Sequence, residues 1–127
     1  MVAFNLEKKI EIYTDAAKTG GMGYALCQPN DEGYNRLVAC GSTSLTDTQK
    51  RYAMVECELA AITFALENSR FYCLGAKDIT VWTDHQALAE LQHKYYDQID
   101  NKRLVRLFER ICHYNVTIKY IPGLRMN

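Results

Sequence analysis

Two six-residue stretches far apart in the chain share one pattern, and that pattern limits what the chain can become. Ile10-Glu11-Ile12-Tyr13-Thr14-Asp15 and Ile79-Thr80-Val81-Trp82-Thr83-Asp84 both alternate, and both close on aromatic-Thr-Asp. A period of two is the mark of a strand. Between them the period changes: Val55, Leu59, Ile62 and Leu66 recur at helical spacing, with Ala60, Ala61 and Ala65 as strong helix formers, which predicts a helix through about Ser69. Strands joined through a helix are set parallel, because a parallel pair needs a helix-length connection where an antiparallel pair needs only a hairpin. If the two strands are neighbours, Asp15 and Asp84 emerge at the same carboxyl edge and on the face of Tyr13 and Trp82. Open α/β sheets bind their ligands at that edge.

The remaining segments extend the sheet. After the first strand, the Thr19-Gly20-Gly21 turn leads into an extended run from Met22 to Gln28, and Asn30-Asp31-Glu32-Gly33 leads into another from Leu37 to Cys40, a three-stranded antiparallel meander. Thr46-Asp47-Thr48-Gln49 fits a capping box, in which hydroxyl and glutamine satisfy the free amides of a starting helical turn. Gly75 breaks the chain ahead of the strand Asp78 to Thr83, and a short helix is expected from Gln86 to His93. Leu104, Leu107, Phe108 and Ile111 mark a further helix, and Val116, Ile118, Tyr120 and Pro122 a last strand. The order βββαβ(α)αβ predicts an α/β domain over residues 1–127, a mixed sheet with helices on both faces.

Composition sets outer bounds. With 127 residues, 48% hydrophobic and 24% charged, the chain resembles ordinary globular domains and departs from disordered ones. Its 15 basic and 15 acidic residues balance, so a nucleic-acid partner has to be argued from local placement rather than total charge. Cys27, Cys40, Cys57, Cys73 and Cys112 form no C-x-x-C pair. An odd count points to free thiols in a reducing compartment, and no apolar run approaches the roughly 20 residues that span a membrane. A soluble protein, not secreted, is the expectation.

Two aspartates side by side repel, and each pKa rises unless a cation sits between them. Oxygen ligands with no histidine or thiol suit Mg²⁺ or Mn²⁺ rather than zinc. A third carboxylate is available on the first helix from Glu56, Glu58 or Glu67. Glu58 borders the apolar stripe, whereas Glu56 lies about 200° around the helix from it and is expected to face solvent; Glu67 is too near the far end.

These residues carry a resemblance. Tyr13-Thr14-Asp15-Ala16, Gly21-Met22-Gly23-Tyr24, Gly41-Ser42-Thr43-Ser44-Leu45-Thr46, Glu58-Leu59-Ala60-Ala61, Thr83-Asp84-His85 and Tyr120-Ile121-Pro122-Gly123 occur in order and spacing. Together they resemble the ribonuclease H domain of gypsy-type LTR-retrotransposon polyproteins, from about Ile10 onward. The resemblance implies a five-stranded sheet in the order 3-2-1-4-5 and hydrolysis of the RNA strand of an RNA/DNA hybrid by two divalent ions ~3.5–4 Å apart. By position Asp15 matches the first catalytic aspartate, Glu58 the helix glutamate and Asp84 the fourth-strand aspartate, all three as metal ligands. The family continues past the Pro-Gly turn into a helix that opens with Ala-Asp and supplies a fourth carboxylate. Here the sequence ends at Leu124-Arg125-Met126-Asn127, so the final helix is expected to be missing and a second ion to bind poorly. The rival reading is a catalytically impaired or inactive module on the same fold, serving as a connection, tether or domesticated scaffold.

The resemblance also suggests contacts to the hybrid, which is recognised mainly through its backbone and the RNA 2′ hydroxyls. The candidates are the amides of Ala16 and Ala17, the hydroxyls of Ser42 and Ser44, and Lys102 and Arg103 on DNA phosphates. Arg110 is expected on a solvated helix face. His85 is expected to start the short helix, and His93 and His113 carry no motif. The implied partners are the hybrid and the polymerase domain of a parent polyprotein. The domain itself is expected to be monomeric, in cytoplasmic virus-like particles or the nucleus.

Overall fold

The computed structural model describes residues 4–17 and 20–123. The first three strands are β1 (Ile10–Ala17), β2 (Gly21–Pro29) and β3 (Asn35–Thr43). They are followed by α1 (Met54–Asn68), the single turn α2 (Arg70–Cys73), β4 (Ile79–Thr83), α3 (Gln86–Leu91), α4 (Lys102–Ile111) and β5 (Val116–Tyr120). The strands form one sheet in the order β3-β2-β1-β4-β5. β1 is antiparallel to β2 and β2 to β3, while β1–β4 and β4–β5 are parallel, as the helix-length connections require. The meander, both parallel strands and the main helices stand where the sequence placed them. Whether a final helix is missing concerns Leu124–Asn127, which lie outside the described residues, as does Thr19 of the first turn.

Alternation decides which sheet face becomes core. Ile10, Ile12, Leu26, Ile79 and Val81 are fully buried on one face, where they join Leu59, Ile62, Leu66, Leu104 and Phe108 of α1 and α4 in a single cluster. The opposite face is less well covered: Tyr13, Cys27 and Trp82 are half-buried, Leu37 is 54% exposed, and Lys119 lies 5.8 Å from the Trp82 ring. Among the described residues the Trp82 indole N–H on that face is buried without an acceptor.

Local signals account for the boundaries. The expected capping box forms, with Gln49 N donating to Thr46 Oγ1 at 3.1 Å and Thr46 N to Gln49 Oε1 at 3.0 Å. It opens a 3₁₀ turn at Gln49–Arg51, and α1 begins only at Met54. β3 is longer than its apolar run because the ladder with β2 continues to Met22–Thr43. A register shift between Leu26 and Cys27 relieves this long pair. At the β5 edge Gln92 stands in for a further strand, accepting from Ile118 N at 2.7 Å and donating to Ile118 O.

Candidate active site

The site originates where two strands part. β1 and β4 run in register from Ile10–Ile79 to Tyr13–Trp82 and pair no further, whereas the β1–β2 ladder continues to Ala17–Gly21. Asp15 therefore sits inside β1, opposite Gly23, and not at the strand end that its sequence twin suggested. Asp84 follows the last residue of β4 and is exposed; Asp15 is half-buried. Continuing the parallel register by two residues brings Asp15 and Asp84 to the same level on either side of the gap.

The gap also frees backbone donors. Ile10 N donates to Asp78 O on the β4 side, and donors alternate along a strand. The N–H groups of Ile12, Thr14 and Ala16 thus point the same way, and that of Ala16 lies beyond the end of the β4 ladder. It favours the ionised Glu58 carboxylate. Ala16 itself is buried; Ala17 next to it is exposed.

Glu58 is the most perturbed group of the site. Its side chain is 2% exposed and its Oε2 is buried with no hydrogen-bond partner among the described residues. Burial, then the charges of Asp84 and Asp15, push its carboxyl up to about 8, against the opposing pull of the Ala16 N–H. Both expected aspartates thus act on Glu58. The three carboxylates do not yet close around a point: among the described residues no three His, Cys, Asp or Glu side chains are already gathered as an ion would hold them. Chemically the arrangement offers oxygen donors only, one of them unsatisfied, and a local excess of negative charge that a hard cation would neutralise.

Glu56 departs from expectation. It lies on the other side of α1 from Glu58, but α4 packs there, and Glu56 is 5% exposed rather than solvated. Its Oε1 accepts from Ala53 N at 2.7 Å, its Oε2 from Asn101 Nδ2 at 3.0 Å, and Arg103 Nη1 donates to both oxygens at 3.1–3.2 Å. Burial alone would raise its pKa. The Asn101, Ala53 and Arg103 donors together outweigh burial and hold the carboxyl below its usual range. Arg103 also stacks on Tyr52, 4.4 Å from the ring centroid. Its Nη1 is engaged in this cluster while the side chain stays about half exposed at the start of α4. Arg110 lies on an exposed helix face, as expected, and pairs there with Glu67.

The remaining candidates separate. A groove of about 410 Å³ runs from Asp15 and Ala17 over Gly20, Gly21 and Gly23 to Ser42. Register explains it: Asp15, Gly23 and Ser42 are cross-strand partners in one row, and the middle position has no side chain. Ser44 instead lines a different cavity, of about 250 Å³, with Thr46, Gln49, Tyr52 and Arg110. Lys102 is exposed at the start of α4, beside Tyr96 and Arg106, and adjoins neither. His85 occupies the N-cap position of α3, its N–H donating to Thr83 Oγ1 at 3.2 Å. The glycine floor carried no chemical motif; only the paired register reveals it.

Comparison with known proteins settles the ancestry. Residues 5–114 match the RNase H-like domain found in reverse transcriptase. The chain belongs to that family. It is 38% identical over 117 residues to the Pol polyprotein of transposon opus and 31% identical over 119 residues to that of transposon gypsy, both from Drosophila melanogaster. These alignments cover 91% and 94% of the chain but 11% of each polyprotein, so the chain spans about a tenth of the curated relatives it matches. Among solved structures it is similar in fold to a foamy viral protease–reverse transcriptase in complex with dsDNA, with TM-score 0.71, 15% identity and coverage of 97% of this chain and 25% of that one. It is also similar to RNase H1 of the archaeon Halobacterium salinarum, with TM-score 0.61, 20% identity and coverage of 91% and 86%. The ribonuclease H-like fold and the membership of this family, expected from the motifs, are thus established.

Proposed function

We propose that this domain hydrolyses the RNA strand of RNA/DNA hybrids, with Mg²⁺ or Mn²⁺ held by Asp15, Glu58 and Asp84. The observation that carries the reading is Glu58: a buried carboxylate with an orphaned oxygen, raised to about 8 by burial and by the two aspartates. A stability role does not account for it, since burying an unpaired acid beside two others costs free energy. A cation at the gap turns each of these costs into a favourable contact.

When bound, divalent ions lower the pKa of the attacking water and stabilise the leaving 3′ oxygen. The chain's own residues supply position. Asp15 is fixed inside β1 by its ladder with β2, Asp84 follows the end of β4, and Glu58 lies buried on α1 within electrostatic reach of both. The side-chain-free row at Gly23 leaves room for a sugar-phosphate backbone between Asp15 and the Ser42 hydroxyl. Water oxygen bonds to phosphorus as the bond to the 3′ oxygen breaks, leaving a 5′ phosphate and a 3′ hydroxyl.

The setting in curated relatives supports a domain tethered to the polymerase that makes its substrate, and the foamy viral reverse transcriptase similar in fold has been captured with an RNA/DNA hybrid. A second reading, a domain that keeps the fold but binds metal weakly, draws on the open arrangement of the three carboxylates. A titration with Mg²⁺ and Mn²⁺ separates them. Labelled RNA in a hybrid is expected to be cut, with single-stranded RNA and duplex DNA spared, and Asp15→Asn to abolish cutting with the fold intact. Cleavage at full rate by Asp15→Asn would refute the assignment, and cleavage appearing only at high metal concentration would favour the second reading.

A further inference from the structure

We propose that Glu56 is the positioning residue for Glu58, locking the first turn of α1 to the start of α4 so that the Glu58 carboxylate is held at the gap. The inference rests on the functional reading above for its consequence, though not for its geometry.

The start of α1 is otherwise poorly held. Its N-cap is Ala53, which has no side-chain acceptor, and Met54 is exposed and Val55 only half-buried. Glu56 is the first buried residue of the helix, and one residue separates it from Glu58. It accepts the Ala53 N–H, the half of a capping box that an N3 glutamate can supply alone. With the same carboxylate it reaches across to α4. Asn101 caps α4, its Oδ1 accepting from Arg103 N at 3.0 Å and Leu104 N at 3.2 Å, while its Nδ2 donates to Glu56. Arg103, the second residue of α4, completes the clamp and stacks on Tyr52, just ahead of α1. One buried carboxylate therefore ties together the loop before α1, its first turn, the loop before α4 and the first turn of α4.

A cluster of this kind is suited to fixing geometry. Replacing a buried, well-bonded ion pair by apolar groups is often neutral for stability, so its presence points to position. The position needed is that of Glu58, about 3 Å further along the helix axis. Glu58 is repelled by two like charges, and among the described residues the Ala16 N–H is the group that favours its ionised form. A frayed first turn would let it retreat from them.

Mn²⁺ affinity and hydrogen exchange of the Ala16 amide, both measured well below the melting temperature, test the proposal. Glu56→Ala is expected to weaken Mn²⁺ binding by about tenfold or more, as loss of supporting groups behind metal ligands does, and to accelerate exchange at Ala16. Arg103→Ala should act in the same direction and add little in the double variant, since the two residues share one cluster. Ile79→Val, a core change at the far end of β4, should lower stability and move neither readout. Should Glu56→Ala fail to fold, Glu56→Gln, which keeps the acceptor for Ala53 but gives up the charge, takes its place with smaller shifts expected. A Glu56 variant that melts earlier yet keeps wild-type Mn²⁺ affinity and Ala16 exchange would overturn the proposal. If the wild-type protein takes up no Mn²⁺, the nuclease reading fails and the Ala16 amide alone decides the positioning role.

Discussion

Glu58→Gln should make the metal-free protein more stable, by an amount set by pH. In the folded state burial and the charges of Asp84 and Asp15 raise the Glu58 carboxyl from 4.5 to about 8. Between these values the native state keeps a proton that the unfolded chain has released, so stability falls as pH rises, by about 1.4 kcal/mol per unit. Below 4.5 both states are protonated and nothing is lost; above 8 both are ionised and the loss levels off. At pH 5 the deficit is under about 1 kcal/mol, and by pH 7 it reaches about 3 kcal/mol. Glutamine is neutral throughout and keeps an acceptor for the Ala16 N–H, so it avoids the deficit. At about 2.1 cal/mol/K of unfolding entropy per residue, 3 kcal/mol in a domain of this length is a melting difference of about 10 °C. Thermal melts of both proteins in chelator at pH 5 and pH 7.5 provide the assay, repeated with Mn²⁺. The variant should gain with pH in chelator, and Mn²⁺ should stabilise the wild-type protein selectively, closing the gap. A melting difference that is the same at both pH values, or that Mn²⁺ leaves unchanged, would refute the reasoning.

Other perturbations have equally definite outcomes. Asp15→Asn and Asp84→Asn each remove a charge that repels Glu58, so both should be at least as stable as wild type above pH 7 while losing hybrid cleavage; paired melts and a hybrid-cleavage assay check this. Arg103→Ala should cost about 1–3 kcal/mol at neutral pH by stranding a buried carboxylate. The Glu56 carboxyl lies below 4.5 in the folded state, so its contribution is complete above that value and is lost as pH falls through the lower folded one. The Arg103→Ala deficit should shrink in that same acidic window, as urea melts at pH 7 and pH 3 would reveal. Gly21→Ala should destabilise by about 2 kcal/mol or more, because φ is +99° and a Cβ would stand 2.4 Å from Thr43 O; chemical denaturation measures it.

Where periodicity carried a unique meaning, the chain was legible. Alternation at Ile10–Thr14 and Ile79–Thr83, helical spacing from Val55 to Leu66, and the length of the connections led to the observed sheet order, because each local signal agreed with the global arrangement. The three carboxylates could be named because two stood in matched strands and one bordered an apolar stripe. The burial of Glu56 and its pairing with Arg103 lay beyond the sequence for one reason. A helical wheel gives angles about one axis and says nothing of which neighbour fills the far side, and α4 fills it here. The Ala16 amide escaped for another: its availability depends on where the β1–β4 ladder stops, and no residue between Tyr13 and Ala16 marks that point. The groove at Gly23 is a property of register, visible only once Asp15 and Ser42 are known to share its row.

The early end of the β1–β4 ladder ties these observations together. Had the two strands paired as far as Ala17, the Ala16 N–H would have gone to β4 and Asp15 and Asp84 would have been pinned side by side. Parting after Tyr13 and Trp82 leaves a backbone donor for Glu58 and keeps the aspartates apart on separate supports, one rigid within a ladder and one at the head of a turn. The sheet thereby gives up ladder hydrogen bonds and accepts a buried acid with an unsatisfied oxygen. Both losses fall at the single place where opposite charge would recover them. A domain selected for stability alone would close this gap with apolar side chains, as Ile10, Ile12 and Val81 close the core face of the same two strands.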